Sequence, residues 1–440
     1  MSARAFALLA ATTLTALSTL NTGSAGHADV TDATDAYFAA SLNGANEVPA
    51  KGGPKTGDRD GSAYAVIRVS GDEVSYAVRW KGVATPTAFH VHQGTAGANG
   101  AVKAGFFAGA LPRTASAVSG TVRAGDAALA GALAANPTGF YLNLHSAEFP
   151  GGAVRGQLHR LDRAVSLAGV LIGPVPAPLR ALADARQEVP TPGKRTGDRD
   201  GGAEWLIRPQ GTTLHYAAAW SRVDAPTNGH VHRGAPGVNG PVVADLFAAA
   251  NGLPASVNGI AGSAPVDRRV AAGIRRAPGN WYANLHTKAF DGGAVRGRLA
   301  PALGTQPRAV LAPVVRGTQV YACTRQDGGG HAYTQLGVAA RLDRSIAHSF
   351  VRPAAGPPQW VAPDGSAVTG KVVTKTANGA GNIPELLLDA TQTGGDGLLG
   401  RATLILRLNT AGGVAPAGPC DPASRPTVRV PYRSDYLYLG

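Results

Sequence analysis

Thiols, aromatic rings and charges are all scarce in this chain. Its 440 residues include two cysteines, Cys323 and Cys420, and one methionine, at position 1. So few thiols exclude a disulfide-dense scaffold and any zinc site built from clustered cysteines. Charged residues make up 16% and aromatic residues 6%, and the low charge speaks against a polar, disordered chain. After the first thirty residues no run is long and apolar enough to cross a bilayer as a helix. No run of five or six basic residues occurs and no aromatics interleave with the arginines, so a nucleic-acid partner lacks its footprint. Gly-x-Ser-x-Gly, phosphate-loop, dinucleotide-fold and His-Glu-x-x-His signatures are all missing. That removes the commonest hydrolases, nucleotide enzymes and zinc proteases.

Glycine and proline are plentiful, at 59 and 31 residues. Helix interiors tolerate neither well, whereas turn-rich β proteins use both. Hydrophobic residues reach 44%, enough for packed cores, and the length suggests two to four domains. Met1 to Ala28 reads as a secretory signal peptide: Arg4 is the charged start, Ala5 to Leu20 the apolar core, and small residues follow. The expected location is therefore secreted, extracellular or at the cell envelope. There Cys323 and Cys420 are expected to pair as a disulfide. The formal net charge of +13 favours an anionic partner such as a cell-wall polymer, with another extracellular protein as the alternative.

Two long segments repeat. Glu47-Val48-Pro49 returns as Glu188-Val189-Pro190, and Thr56-Gly-Asp-Arg-Asp-Gly61 as Thr196-Gly-Asp-Arg-Asp-Gly201. His90-Val91-His92 returns as His230-Val231-His232, Asn143-Leu144-His145 as Asn284-Leu285-His286, and Gly151-Gly-Ala-Val-Arg-Gly156 as Gly292-Gly-Ala-Val-Arg-Gly297. The motifs move from 90 to 230 and from 145 to 286, offsets of 140 and 141 residues, so each copy has the size of a whole domain. Period-two alternation predicts strands over 64–69 and 74–80 around a Ser70-Gly71-Asp72 turn, with a matching pair in the second copy. Ala-rich stretches at 126–135 and 266–274 predict short helices. Pro174, Pro176 and Pro178 mark one linker and Pro301 to Pro313 another. The domains are expected at 35–160, 180–300 and 310–440. The last reads as β-rich from 402–408 and 428–432, and 383–390 reads as either helix or strand.

These motifs resemble the CHRD domain, a module first described in chordin and found in many exported bacterial proteins. The resemblance rests on Leu42-Asn-Gly-Ala-Asn-Glu-Val-Pro49, Phe89-His-Val-His-Gln-Gly94, Gly97-Ala-Asn-Gly100, Tyr141-Leu-Asn-Leu-His145 and Arg155-Gly156, with their counterparts in the second copy. It implies an all-β fold of two tandem Ig-like or superoxide-dismutase-like β-sandwich domains and an extracellular setting. It implies no agreed activity. The remainder resembles an uncharacterised domain of secreted proteins through Val320-Tyr-Ala-Cys323, Gly356-Pro-Pro-Gln-Trp360 and Tyr432-Arg-Ser-Asp-Tyr436.

The histidines carry the candidate chemistry. On a strand, alternate side chains share a face. His90 and His92 then point away from the core that takes Phe89 and Val91, and Asn143 and His145 away from the core that takes Leu142 and Leu144. If the two strands are neighbours, three imidazoles converge in each copy: His90, His92 and His145, then His230, His232 and His286. Such a set suits copper, zinc or nickel, with Asn143 and Asn284 behind the ligands. The competing reading is that the histidines brace the glycine-rich 94–100 loop. His-Val-His resembles the copper strand of Cu/Zn superoxide dismutases, but the bridging histidine, the zinc cluster and the sandwich disulfide of that family are missing, which weakens a dismutase reading. Three functions stay open: a binding or structural protein, a copper-dependent redox enzyme, and a basic wall-binding adhesin. Glu47 with Arg155, and Glu188 with Arg296, are expected as structural ion pairs. Asp58 and Asp60, with Asp198 and Asp200, read as polar turns because their spacing is not that of a calcium loop. His159, His215, His331 and His348 read as surface or packing residues, and Asp364-Gly365-Ser366 as a turn.

Overall fold

A computed structural model describes residues 35–126, 128–354 and 356–440. The expected signal peptide lies outside the described residues. About half of the chain is strand, and every ladder is antiparallel.

The first copy comprises β1 (Ala36–Asn43), β2 (Ser62–Ser70), β3 (Glu73–Lys81), β4 (Pro86–Gln93), β5 (Val102–Ala108), β6 (Ala115–Arg123), helix α1 (Leu129–Ala135), β7 (Phe140–Ser146) and β8 (Val154–Gln157). Strands β1-β2-β3-β6 form one layer and β5-β4-β7-β8 the other. After α2 (Leu167–Ile172) the second copy repeats the pattern. It has β9 (Leu179–Asp184), β10 (Gly202–Gln210), β11 (Thr213–Ser221), β12 (Pro226–Arg233), β13 (Val242–Ala248), β14 (Val257–Pro265), α3 (Arg268–Arg276), β15 (Trp281–Thr287) and β16 (Val295–Arg298). The hairpin signals act as expected: Ser70 faces Glu73, and Gln210 faces Thr213, across two-residue turns. Both predicted helices form, and α3 starts where the Asp267 side chain accepts from the Arg269 and Val270 amides.

Each sandwich alone would leave β6 or β14 as an open edge, a site for unwanted pairing. Here the two edges pair with each other, Val118 facing Ile260 and Ala117 facing Ala261. The result is one continuous sheet, β1-β2-β3-β6-β14-β11-β10-β9. Its inner face closes both sandwiches over a shared core that includes Phe38, Ile67, Tyr76, Phe89, Trp205 and Ile260. Its outer face is apolar too. Ala117, Leu206, Ala217, Ala219 and Ala261 lie under Ala168 and Leu171 of α2.

The third domain is a closed antiparallel barrel of β17 (Ala309–Arg325), β18 (His331–Leu342), β19 (Ala347–Phe350), β20 (Pro358–Val361), β21 (Ala367–Thr376), β22 (Glu385–Gly394), β23 (Leu404–Gly412) and β24 (Thr427–Leu439). The ambiguous 383–390 segment is thus mostly strand. The Pro301–Pro313 linker is shorter than expected, because Ala309 to Pro313 already pair with Leu439 to Asp435. Leu404, Leu406, Leu437 and Leu439 of the barrel cover Tyr37, Ala39, Tyr64 and Val66 of the first copy. The Tyr64 hydroxyl donates to the Ala309 carbonyl, 3.0 Å away. His159, expected to be unremarkable, contacts Glu385 across this boundary at 3.0 Å. His348 is a packing residue, its ring stacked on Trp360. Asp364 and Ser366 form a side-chain-bonded turn.

Cys323 and Cys420 are bonded, with 5.8 Å between their Cα atoms. The bond ties the far end of β17 to the segment before β24 across 97 residues. In the chain-entropy account such a loop contributes about 4–5 kcal/mol. The double variant Cys323→Ser/Cys420→Ser is expected to lower stability by about 2–5 kcal/mol. Urea unfolding followed by fluorescence, with Trp360 in the barrel core, checks this; an unchanged midpoint would show that the barrel does not depend on the cross-link.

Candidate metal centre

The register of β4 on β7 builds the centre. His90 faces Asn143, His92 faces Tyr141, and Ala88 faces His145. Phe89, Val91, Leu142 and Leu144 are fully buried on the opposite, core side. This alternation turns all three imidazoles the same way. The ladder from β4 to β5 breaks register at Phe89/His90 and again at Val91/His92, the local twist that bulges impose. The second copy repeats the arrangement on β12, β13 and β15, with breaks at Gly229/His230 and Val231/His232.

In each copy three ring nitrogens lie within 4.8 Å of one another. The His92 Nδ1 donates to the Gly100 carbonyl at 3.0 Å, and the His145 Nδ1 to the Pro150 carbonyl at 3.0 Å. The counterparts are His232 to Gly240 at 3.0 Å and His286 to Asp291 at 3.1 Å. A proton fixed on Nδ1 leaves Nε2 as a bare lone pair. Those lone pairs point inward: Nε2 of His92, His232 and His286, and Nδ1 of His230, are buried without a hydrogen-bond partner. The His90 Nδ1 lies 3.3 Å from the His145 Nε2. Two nitrogens sharing one tetrahedral ion at ~2.0–2.1 Å would stand about 3.4 Å apart, so this pair already has the spacing.

Loop bracing is present as well. The Gly100 amide donates to the Tyr141 hydroxyl at 3.3 Å, and Tyr141 stacks on His92 with 4.8 Å between centroids. Gly100 passes so close to the Gln93 carbonyl that any Cβ there would overlap it. Bracing uses the Nδ1 side of His92 and His145; the His145 Nε2 meets the His90 Nδ1, and the His92 Nε2 is left unexplained. An unpaired buried acceptor costs about 1–3 kcal/mol, and here it recurs in both copies.

The expected ion pairs need correction. Arg155 does not reach Glu47, and Arg296 does not reach Glu188, at contact distance. The Arg155 guanidinium instead donates to the Thr95 carbonyl at 2.8 Å and the Ala98 carbonyl at 2.7 Å. It also lies 3.4 Å from the centroid of the Tyr141 ring. Arg296 does the same with Ala235, Val238 and Tyr282. The loop carbonyls outnumber a single carboxylate and lie nearer. Glu47 instead meets Asn143, whose Nδ2 stands 3.4 Å from Oε2, and Glu188 meets Asn284 at 3.3 Å. Burial pushes the Glu47 carboxyl up to about 7, against the pull of Arg155 and Asn143, and pushes Glu188 up to about 8. Glu47 Oε1 and Asn143 Oδ1 are both buried acceptors without a donor, and a proton on the carboxyl supplies one. Gly152, at φ +126, lets the chain pass: a Cβ would come within 2.6 Å of Glu47 Oε1.

Asp245 is the residue that the sequence reading misses. Its Oδ1 lies 3.4 Å from the His230 Nε2. The same register position in the first copy is Gly105, opposite His90. The signal lay in the 140-residue offset itself, in a place where the copies differ rather than agree. A cavity of about 610 Å³ opens over the second centre, lined by the three histidines with Lys194 and Lys288 at its rim. The Asp58/Asp60 and Asp198/Asp200 turns join no three-residue ligand group among the described residues.

A family model described as the CHRD domain matches residues 38–158 and 179–299, together more than half of the chain. The chain belongs to the CHRD family. Its last part, residues 304–440, matches a model described as a protein of unknown function, DUF3455. No curated protein matches the chain. CHRD domains are typically extracellular and suggest a binding role without catalysis. Among the described residues no helix is long and apolar enough to cross a membrane.

The carboxyls of the two CHRD domains give a pH dependence with a definite sign. Their folded values, about 7 and about 8, lie above the ordinary value of 4.5. Their contribution is therefore intact at low pH and is lost as pH rises from about 4.5 towards 7 to 8. Glu47→Gln restores the missing donor without the charge. It is expected to raise stability at pH 8 by about 1–2 kcal/mol, a discounted figure because the carboxyl keeps some water, and to change little at pH 4.5. Urea midpoints at the two pH values check this; equal effects at both would show that Glu47 stays ionised throughout.

Proposed function

We propose that this protein is an exported, non-enzymatic binding protein of the cell envelope or extracellular space, whose two CHRD domains each hold one transition-metal ion. Copper and zinc suit the donor set best, since three neutral imidazoles are their usual nitrogen ligands. The observation that carries the reading is the duplicated set of inward-facing nitrogens without a partner, at His92, His230, His232 and His286. The ligands would be Nδ1 of His90 and His230 and Nε2 of His92, His145, His232 and His286. Asn143 and Asn284 stand behind them. In the metal-free protein burial, aided by the neighbouring rings, lowers His90 and His230 to about 4. Both are therefore neutral and ready to coordinate across the physiological range. The net charge of +13 supports an anionic wall polymer as the surrounding partner.

A copper-dependent redox enzyme is the second reading, and one observation favours it. Three protein ligands beneath an open cavity leave a fourth position for an exchangeable ligand. Azide added to the copper-loaded protein would shift the visible spectrum if that position is reachable, and leave it unchanged if the site is closed.

Metal content of the untagged mature protein tests the main reading. About two equivalents of copper or zinc are expected, falling to about one in His90→Ala/His92→Ala/His145→Ala. No metal in either protein after loading, with lower stability in the variant, would leave the histidines as loop braces.

The two centres should also differ in strength. A carboxylate on the far nitrogen of a ligating imidazole raises its basicity, and losing such a partner costs roughly 10–100-fold in affinity. Asp245→Ala is expected to weaken the second centre by about tenfold, less than the upper range because Asp245 is largely exposed. Gly105→Asp, whose Cβ would meet only the His90 ring at 3.6 Å, should strengthen the first. Competition with a chromophoric chelator reads both; identical affinities in all three proteins would remove Asp245 from the site.

A further inference from the structure

A cavity of about 540 Å³ lies on the outer face of the continuous sheet, away from the two three-histidine centres. All three domains build it. The first copy contributes Arg79 and Lys81 from β3, the second Arg208 from β10, and the barrel Arg344 from the turn after β18. Against these four cations stands one carboxylate in the lining, Asp343. None of the four makes an ion pair among the described residues, where the ion pairs involve other side chains. Arg79 donates instead to the Val170 carbonyl at 2.9 Å, to the Leu171 carbonyl, and to the Ser116 hydroxyl at 3.2 Å. Its fork still has N–H groups to spare. Burial lowers the Arg79 pKa, and the nearby Arg344 lowers it further.

Much of the rest of the wall is apolar, with Ser62, Ser116, His215 and Ser263 as its polar members. Leu206 from the second copy, Ile172 at the end of α2, and Leu311 and Pro313 from β17 line it. Such a wall shields the cations poorly, so their mutual repulsion is stronger than it would be in water. The backbone adds a second sign. Arg344 and Ser345 are consecutive non-glycine residues in the left-handed region, at φ 57° and φ 60°. Each such residue costs of order 1 kcal/mol and persists where the surroundings impose it. The strained turn carries Arg344 to the cavity.

Cations crowded beside apolar surface, without matching carboxylates, match one kind of ligand. We propose that the junction of the three domains binds an amphiphilic organic anion, with a carboxylate head among Arg79, Arg208 and Arg344 and an aliphatic body against Leu206, Leu311 and Pro313. The volume falls within the range of small-molecule sites, roughly 300–1,000 Å³. Arginine is suited to a carboxylate because its fork can meet both oxygens. The ligand would bridge all three domains, so its binding would also stiffen their packing.

Isothermal titration with decanoate tests this on the full chain, with acetate, inorganic phosphate and decylammonium as comparison probes. One decanoate per chain is expected, at least tenfold tighter than any of the other three. Equal binding of decanoate and decylammonium would show a merely apolar pocket and overturn the proposal. Equal binding of acetate or phosphate would show a simple anion patch and overturn it too. Arg79 holds the end of α2, so its replacement risks the fold. Arg208→Glu/Arg344→Glu alters two side chains at the cavity wall instead, and is expected to weaken decanoate at least tenfold with unchanged circular dichroism. Unchanged affinity in that variant would overturn the assignment of the head group. Removing metal with a chelator should leave decanoate binding as it was, since the cavity shares no residue with the histidine centres.

Discussion

The pairing of β6 with β14 is the contact on which the rest of the molecule rests. It converts two open edges into one sheet, and a sheet of that width has two large faces to cover. The inner face is covered by the partner layers of the two sandwiches. The outer face cannot be left to water, because β1, β2, β3, β6, β10 and β11 carry alanine, leucine, valine and tyrosine there. The short α2 helix and the barrel fill that role. Strands buried on both faces read as apolar runs, as β1 does with six consecutive buried residues. The tandem duplication is therefore more than two beads on a string: each copy completes the other's sheet, and the third domain completes the cover.

The same packing determines where polar chemistry can sit. On the core side of β4 and β7 nothing but hydrocarbon is tolerated, so the histidines and asparagines are driven to the other side. There the glycine-rich loop folds over them, held by Arg155 through two carbonyls and by Asn99, which donates to Val48. The loop takes up the outer nitrogen of His92 and leaves the inner one bare. Arg155 is itself buried, and it holds its place through hydrogen bonds and the Tyr141 ring rather than through a carboxylate. Glu47 meets the Asn143 amide instead, and burial raises its carboxyl pKa. The first strand, the loop and the closing motif are thereby linked through one polar network beneath the imidazoles.

Much of this was legible in the sequence. Period-two alternation placed the hairpins, the repeat offset revealed the twin domains, and the parity of His90, His92, Asn143 and His145 assigned their common face. What was not legible depended on contacts between domains or between distant strands. The outer faces of β1 to β3 carry no sign of what covers them, since an apolar residue does not name its neighbour. Glu47 and Arg155 looked like partners because they are opposite charges at the ends of one domain. The fold instead offers Arg155 a row of carbonyls, which sequence cannot display. Pro313 looked like linker because proline usually breaks strands, yet it stands where the β17–β24 ladder itself breaks register.

The differences between the copies say more than their agreement. Most of the site is retained to the residue, from His-Val-His to the stacked tyrosine and its arginine. Gly105 and Asp245 break that pattern at the position facing the first histidine of each motif. A brace for the glycine-rich loop would gain nothing from a carboxylate there, because the loop is held from the other side by His92 and His232. A ligand set would gain, because the carboxylate faces the far nitrogen of a ring whose near nitrogen points inward. The copies thus share a scaffold and differ in a carboxylate that faces one imidazole, the kind of feature that tunes a ring's basicity.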